Sequence, residues 1–288
     1  MSDYDVKSNS EITLLPQDDD GIEAQFDPNN DLFLKCWEQY KKAHPTRWVW
    51  GLASYSTSAL DTGAFGFLIT NEVLKKMNFE ESKNVVELTC FLEHQHNLTS
   101  FNQEFDTSKC ARFSSMFKYC ISLETVKIDI SSATDLSSMF AGCKELTKIE
   151  FVGEGNVASF IDTFSGCSKL KKAPYVKVDN TRRVTIGTMF SQCVELEEVP
   201  AYDFSSVDSA SNMFAGCVKL KKIHFTGMKV DFNISASTQF GREDLVEILT
   251  NLGEAYGGLQ VLTMGATNLA KLTADDIAIA TAKGWTLQ

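Results

Sequence analysis

Cysteine is the residue type in this sequence that could most directly do chemistry, because eight Cys can form disulfides or bind a metal. Five of them recur three residues after a phenylalanine, at one position of a repeated pattern: Cys120, Cys143, Cys167, Cys193 and Cys217. That placement predicts small buried hydrophobic side chains that fill a column. Five column members cannot all pair, and the sequence has no Cys-x-x-Cys, which disfavours disulfides and a zinc site. Cys36, Cys90 and Cys110 lie outside the column and could differ.

Histidine is the second candidate for chemistry, and the chain has four. His94 and His96 stand beside Glu93 and could in principle hold a metal, but no third ligand follows at a recognisable spacing. We therefore interpret His94-Gln95-His96 as a polar loop. His224 falls at the outward position of a predicted strand, which makes it a candidate contact residue rather than a catalyst.

Sequence motifs for nucleophiles, phosphates and cofactors are missing from the chain, which has no Gly-x-Ser-x-Gly, His-Glu-x-x-His, P-loop or Gly-x-Gly-x-x-Gly. The adjacent carboxylates Asp275 and Asp276 follow Thr273 near the start of a predicted helix, where a capping pair is expected. We predict no enzyme activity, no cofactor and no metal. A catalytic site within residues 32–84 is the alternative, although that stretch has no recognisable set of acid, base and nucleophile.

The column cysteines belong to a repeat with the pattern Phe-x-x-Cys-x-x-Leu-x-x-apolar. It begins at Phe117, Phe140, Phe164, Phe190 and Phe214, at steps of 23, 24, 26 and 24 residues. A degenerate unit, Leu92 to Phe101, precedes these five, and a weaker one follows at Phe240. Weakening at both ends is typical of the terminal units of a repeat array.

Each unit predicts a short helix that leads into a short strand. Phe, Cys and Leu at positions i, i+3 and i+6 fall on one face of helical turns, and the triplets after them, such as Val126-Lys127-Ile128, alternate with strand period. A single unit cannot bury both faces, whereas stacked copies share one core, with strands pairing at roughly 4.8 Å. The predicted fold is an α/β solenoid of parallel strands and short helices, in units of about 24 residues.

These units resemble the BspA-type leucine-rich repeats, which carry Ser-x-Met-Phe-x-x-Cys-x-x-Leu-x-x-Ile, as in Ser137 to Ile149. The tail, with Leu259 to Met264, Asn268 to Thr273 and Asp275 to Lys283, looks like the end of that family in gut Bacteroidetes and their bacteriophages. The resemblance covers residues 85–288 and implies a leucine-rich-repeat solenoid with a C-terminal cap at 241–288. Family members are surface adhesins, interaction modules and phage-borne proteins, so the resemblance implies binding without specifying a ligand.

The first 84 residues do not follow the repeat. Residues 1–31 hold nine acids against Lys7 alone, and a segment so acidic and so weakly apolar predicts a flexible arm. Asp31 to His44 predicts an amphipathic helix closed by Pro45, and the aromatic, glycine-rich stretch after it suggests strands. We interpret residues 32–84 as a small α+β cap or attachment module that precedes the repeats.

Charge and hydropathy exclude two classes of partner. The net charge is −11, of which the acidic arm supplies −8, so no surplus of Lys and Arg is left to bind nucleic acid. No run of 18 apolar residues occurs, so we expect no membrane insertion. The N-terminus lacks the basic and apolar regions of a secretory signal, and we therefore expect folding in a reducing compartment.

The predicted working surface is the outward side of the strands, which the register divides into three columns. These are Thr125, Lys148, Lys172, Glu198 and Lys222; then Lys127, Glu150, Pro174, Pro200 and His224; then Asp129, Val152, Val176, Tyr202 and Thr226. Ten of these residues are candidate contacts, called the strand face below: Lys127, Asp129, Lys148, Glu150, Lys172, Glu198, Tyr202, Lys222, His224 and Thr226. Their mixed charge and aromatic character suits a protein or glycan ligand, and an ordinary solvated sheet is the alternative.

The function expected from these features is non-enzymatic binding or adhesion. The first hypothesis is a protein of the bacteriophage virion, anchored to a virion or scaffold protein through its N-terminal region and presenting the strand face to a protein or cell-surface glycan. The second is a bacterial or protist surface adhesin, or an intracellular interaction scaffold in the cytoplasm. The resemblance is compatible with both.

Overall fold

The computed structural model describes residues 5–8, 10–13, 38, 41–42, 45–48, 71–255 and 260–288. The strands are β1 (Asp5–Ser8), β2 (Ser10–Thr13), β3 (Ser100–Asn102), β4 (Thr125–Asp129), β5 (Lys148–Val152), β6 (Val184–Thr185), β7 (Glu198–Val199), β8 (Val207–Ser209), β9 (Lys222–Ile223), β10 (Phe232–Asn233), β11 (Gln260–Thr263) and β12 (Trp285–Leu287). The helices are α1 (Asn71–Lys76), α2 (Arg242–Asn251), α3 (Ala266–Leu269) and α4 (Ala274–Ala282), with a 3₁₀ helix at Glu80–Asn84.

Successive units between residues 88 and 217 are joined by a backbone hydrogen-bond pattern, called the turn ladder below. In the unit of Phe117, alternate amides donate to the next unit: Phe113 to Asp135, Ser115 to Ser137, Phe117 to Met139 and Tyr119 to Ala141, at 2.7–3.0 Å. The units of Phe140, Phe164 and Phe190 repeat this pattern. The turn ladder supplies partners for backbone groups that would otherwise be buried without one.

The short helix predicted in each unit is replaced by turns. Amides bond carbonyls three residues earlier, as Cys143 does with Phe140 and Leu146 with Cys143. Two residues four positions apart have positive φ in each unit, for example Ser138 at 54° and Gly142 at 76°. Because an α-helix of L-residues cannot include this left-handed backbone, the chain forms separate turns of three residues.

The repeated phenylalanines form one continuous stack through the molecule. Ring centroids of Phe117, Phe140, Phe164, Phe190 and Phe214 lie 5.4–5.9 Å from their neighbours, with ring planes within 2–8° of parallel. All five rings are buried, and so are the leucines at the repeat position Leu123, Leu146, Leu170, Leu196 and Leu220. One core therefore runs through the described units.

The column cysteines lie behind the phenylalanine stack as free, buried thiols, as the repeat predicts. Each thiol points at a backbone carbonyl of the preceding unit: Cys143 at Phe117, Cys167 at Phe140, Cys193 at Phe164 and Cys217 at Phe190, at 3.0–3.2 Å. Burial raises the pKa of the Cys217 thiol to about 12 and that of Cys167 well above its ordinary value. Thiols held neutral in this way are inert as nucleophiles.

The strands form several short parallel sheets rather than one. β3, β4 and β5 pair in order, β7 pairs with β9, β6 pairs with β8, and β10, β11 and β12 pair in order. Single bridges join other units, including Asp135 with Ser159 and Lys172 with Glu198. Among the described residues, β5 has no pairing with the strand-side segment of the next unit, residues 172–176.

Residues 45–48 meet the first unit at an ion-pair cluster around Glu87. Burial alone would raise the pKa of Glu87, but hydrogen bonds from Arg112, Arg47 and Thr89 outweigh it and lower the pKa to about 2. Arg47 and Arg112 both contact Oε2 of Glu87, at 2.6 and 2.7 Å, and both pair with it as parallel bridges. Trp48 is buried next to them against Phe91, and so extends the core beyond the repeats.

Two predictions for the N-terminal part are covered only partly by the described residues. Within the predicted helix Asp31–His44, residues 38, 41 and 42 are helical, and Lys41 pairs with Glu38 at 3.0 Å. The predicted strands between Trp48 and Leu68 lie outside the described residues apart from Trp48. In the acidic arm, β1 and β2 pair antiparallel, with Val6 opposite Ile12, where the sequence predicts a flexible segment.

The C-terminal end is closed by α2, α4 and the sheet of β10, β11 and β12. Thr273 caps α4 reciprocally with Asp276, as predicted from their spacing. Arg242 at the start of α2 then holds both carboxylate oxygens of Asp276, at 2.8 and 2.7 Å. The two helices are thereby locked together over the last unit.

Candidate binding face

The strand face is assembled from four strands and the loops that follow them. Lys127 and Asp129 lie on β4, Lys148 and Glu150 on β5, Glu198 on β7 and Lys222 on β9. Nine of the ten predicted residues are at least partly exposed; the exception is Tyr202. The rigid phenylalanine stack beneath them fixes the spacing between neighbouring positions.

Opposite charges pair across neighbouring units of this face. Lys127 Nζ lies 2.5 Å from Glu150 Oε1, and Lys172 Nζ lies 3.0 Å from Glu198 Oε1. The hydrogen bond from Lys127 lowers the pKa of the Glu150 carboxyl. Each pair is exposed to solvent, so it contributes to the charge pattern of the surface more than to stability.

His224 is held by the C-terminal cap. Its Nδ1 lies 2.7 Å from Oε1 of Glu247 on α2, and its side chain remains one third exposed. Thr226 follows it, exposed and bridged to Asp203. The histidine thus joins the last unit to the cap and still faces solvent.

The first predicted column is divided into two groups. Thr125 pairs with Lys148, and Glu198 pairs with both Lys172 and Lys222. No pairing joins Lys148 to Lys172 among the described residues. The amide of Ala173 donates to the carbonyl of Glu198 in the following unit. Pro174 has no amide proton and therefore cannot donate a hydrogen bond to β5. The strand face therefore has a front group on β4 and β5 and a rear group from Lys172 to Thr226.

Tyr202 is a correction to the predicted face, because its side chain is fully buried. Its ring stacks on Phe204 with centroids 5.3 Å apart, and its hydroxyl donates to the carbonyl of Pro174. Burial raises the pKa of this hydroxyl well above its ordinary value. Tyr175, which the triplet register assigns to the core, is 50% exposed instead.

Tyr175 and Tyr202 have the opposite exposure to that predicted because a proline interrupts the triplet in each of their units. Pro174 and Pro200 occupy the central positions, where a strand needs an amide proton. The amide of Tyr202 then bonds the carbonyl of Pro200 in a tight turn, which shifts the side chains after it by one position. Pro174 is the sequence signal that could have identified Tyr175 as an exposed tyrosine.

Titratable side chains elsewhere do not converge on a catalytic arrangement within the described part of the chain. His94 and His96 have ring centroids 5.8 Å apart, and no group of three potential metal ligands occurs among the described residues. Cys90 and Glu93 are neighbours of Lys118, and burial raises the pKa of the Cys90 thiol to about 12 and also raises that of Glu93. A thiol whose pKa is raised in this way stays protonated near neutral pH and is not the activated nucleophile that covalent catalysis needs.

None of the helices among the described residues is both long enough and apolar enough to cross a membrane. The longest helix of the C-terminal cap, α2, has ten residues and carries charges in its first turn.

One family of proteins matches the sequence. Its model, described as "Mycoplasma protein of unknown function, DUF285", fits twice, over residues 64–173 and 124–226. Overlapping matches of one model are typical of an internally repeated sequence. No curated protein matches the chain. The two matches together run from residue 64 to residue 226, more than half of the 288 residues, and the chain therefore belongs to the DUF285 family.

Proposed function

We propose that this chain is a non-enzymatic recognition protein that binds a protein or glycan through the strand face. The observation that carries the proposal is the arrangement of nine at least partly exposed, mostly charged residues on strands and adjoining loops of units that a stacked core holds at regular spacing. Opposite charges pair across units, as Lys127 does with Glu150 and Lys172 with Glu198, which favours a ligand of complementary charge pattern. The column thiols are buried, and no group of three potential metal ligands occurs among the described residues.

We propose further that the stacked units are a leucine-rich-repeat solenoid of the BspA type. Parallel pairing of β3, β4 and β5, a core shared by successive units and repeat steps of 23 to 26 residues support this assignment. In such an array each unit contacts its neighbours alone, so outward residues can vary without loss of the fold. A surface of this kind suits recognition.

Charge reversal on the strand face tests the proposal. The triple variant Lys148→Glu, Lys172→Glu and Lys222→Glu changes both groups, and the matched control Lys83→Glu, Lys109→Glu and Lys144→Glu changes three exposed lysines elsewhere. Labelled protein is applied to a glycan array and to panels of Bacteroidetes and Mycoplasma cells. We expect the face variant to lose binding at least about tenfold while the control retains it. Equal binding by the two variants would exclude the strand face.

The location of the protein has two candidate answers. A virion protein, anchored through its N-terminal region, agrees with the resemblance of the tail to bacteriophage members of the BspA-type family. A cellular adhesin or scaffold is favoured by the family description, which names a cellular bacterium. Immunogold labelling of purified virions and of intact cells distinguishes the two locations. Label on the particles indicates a virion protein, and label on cells alone indicates a cellular protein.

A further inference from the structure

A series of parallel bridges joins successive units where the turn ladder begins, and it stops before the C-terminal sheet. Its parallel pairs join Glu87 to Arg112, then Asp135, Ser159, Thr185 and Ser209 in turn. The next residue in this series is Asn233 on β10, which pairs with Thr263 on β11. No pairing between β8 and β10 occurs among the described residues, so two parallel sheets end beside each other.

The last unit leaves its backbone donors unused at this point. In earlier units, the amide after the bridged residue donates to the next unit, as Leu136 does to Ser159 at 3.0 Å and Phe160 to Thr185 at 2.8 Å. The corresponding amide of Ala210 meets no described acceptor. Thr188 likewise donates to Ser211, while the equivalent amide of Asn212 has no described partner. Two donors, two residues apart, thus face the gap.

The opposite side of the gap is also an open strand edge. The amide of Ile234 donates to Thr263, so the even-numbered residues of β10 turn their backbone groups toward β11. Backbone groups of successive strand residues point in opposite directions, and those of Asn233 therefore face β8. Unpaired edges of this kind are templates for another strand.

An open depression of about 380 Å³ borders both edges and extends to β11. It is lined by Ala210, Ser211, Asn212, Asp231, Phe232, Asn233, Val261 and Thr263. Its volume falls within the range of about 300–1,000 Å³ that is typical of ligand sites. Asp231 is the one charged residue of this lining, and its carboxylate accepts the amide of Val261 while its side chain stays exposed.

We propose that this depression binds an extended peptide of a partner protein, which inserts between β8 and β10 and runs parallel to both. Peptide carbonyls two residues apart accept from the amides of Ala210 and Asn212, and the other peptide edge pairs with Asn233. A lysine or arginine of the peptide lies against Asp231. A main chain is the ligand that matches two donors at two-residue spacing on one side and the backbone groups of Asn233 on the other, because strand pairing repeats with that period. The site is distinct from the strand face and does not depend on it.

Hydrogen exchange of the full chain tests whether the donors are open. We expect the amides of Ala210 and Asn212 to exchange at least about tenfold faster than those of Leu136 and Ser138, which occupy the equivalent positions in a paired unit. Equal protection would show that another part of the chain already fills the gap, and the proposal would be overturned.

Peptide selection tests the ligand. A displayed library of random twelve-residue peptides is the probe, and the variant Thr263→Tyr fills the depression with a residue that strands accept well. Thr286→Tyr on exposed β12 is the matched control outside the lining. We expect selected peptides to contain Lys or Arg, to protect the amides of Ala210 and Asn212, and to bind Thr263→Tyr at least about tenfold more weakly than the control. Asp231→Asn should weaken binding of the basic peptides alone.

The outcomes separate this inference from the proposed function. If selected peptides lose affinity for the triple lysine variant of the strand face but not for Thr263→Tyr, the strand face is the peptide site and this inference is wrong. Recovery of no specific peptide, or equal binding to Thr263→Tyr and Thr286→Tyr, also overturns it. Neither of the last two results bears on ligands of the strand face.

Discussion

In each unit, the turn side carries the repeated Phe, Cys and Leu, and the strand side carries the triplet that follows them. The two sides keep the repeat to different degrees. On the turn side, every unit from Phe117 to Phe214 makes the same ring contacts, and its cysteine contacts the preceding unit in the same way. On the strand side, pairing stops after β5 and begins again at Lys172, which bridges to β7, and β7 pairs with β9. The turn side therefore carries the stacking, while the strand side is free to vary between units, as surfaces used for recognition do.

Removal of one ring from the stack should produce the largest effect. Phe164 lies between Phe140 and Phe190, at 5.8 and 5.4 Å, and is fully buried. We expect Phe164→Ala to lower the free energy of unfolding by about 3–5 kcal/mol, because it leaves a cavity between two rings. Urea denaturation measures the change.

The control comes from the strand side of the same unit. Tyr175→Ala truncates a half-exposed aromatic, and we expect a loss below about 1 kcal/mol. Similar losses for the two substitutions would contradict the assignment of stacking to the turn side.

Backbone conformation of the turns gives the second prediction. Gly142 has φ of 76°, and a Cβ at this position would collide with the Tyr119 ring of the preceding unit. We expect Gly142→Ala to destabilise the protein by about 1–3 kcal/mol, from left-handed strain and the displaced ring.

Gly187 supplies the matched control, since its φ is ordinary and its nearest neighbour would lie 3.8 Å from an added Cβ. Gly187→Ala should change thermal stability little or raise it slightly. A stability loss for Gly187→Ala as large as that for Gly142→Ala would show that space and φ do not decide the cost.

The buried thiols predict a loss of stability in alkaline solution. Burial raises the folded pKa of Cys217 from an ordinary 9.0 to about 12, so its contribution is complete below pH 9 and is lost as the pH rises toward 12. In that window the unfolded state releases a proton that the folded state keeps, at about 1.4 kcal/mol per pH unit for each thiol. We expect Cys217→Ala to reduce the slope of unfolding free energy against pH by that amount between pH 9.5 and 11.

Ser168→Ala is the comparison for this slope, because it removes a hydroxyl that does not titrate. Its slope should match that of the unaltered chain. A slope for Cys217→Ala that equals the slope for Ser168→Ala would mean that this thiol titrates alike in both states.

The sequence predicted the turn-side side chains well and their backbone poorly. Spacing alone placed Phe140, Cys143 and Leu146 in the core, because three-residue intervals return a side chain to one face. The same intervals fit both an α-helix and successive turns of three residues. The left-handed positions decide between them. Glycine occupies the second such position in three units, at Gly142, Gly166 and Gly216, whereas the first position holds a non-glycine residue such as Ser138, so residue type signals this backbone only in part.

On the strand side, prediction succeeded where strands alternate and failed at proline. Lys127 and Glu150 are exposed and adjacent, as the register required. Tyr202 was misplaced because alternation was extended through Pro200, where the chain makes a tight turn. The gap beside Asn233 depends on how the C-terminal cap docks, and local sequence carries no signal for such a long-range contact.

Pro174 gives the smallest predicted effect, and it isolates the cause of the break in the strand face. Pro174→Thr restores an amide proton opposite β5 and introduces a residue that strands favour. The gain from one added hydrogen bond, about 1 kcal/mol, is offset by about 0.4–1 kcal/mol because the unfolded chain becomes freer without proline. Overall stability should therefore stay nearly unchanged, while exchange of the Ile149 and Phe151 amides slows by about tenfold as the two strands pair. If those amides exchange as before, the missing amide proton of Pro174 is not what separates this segment from β5.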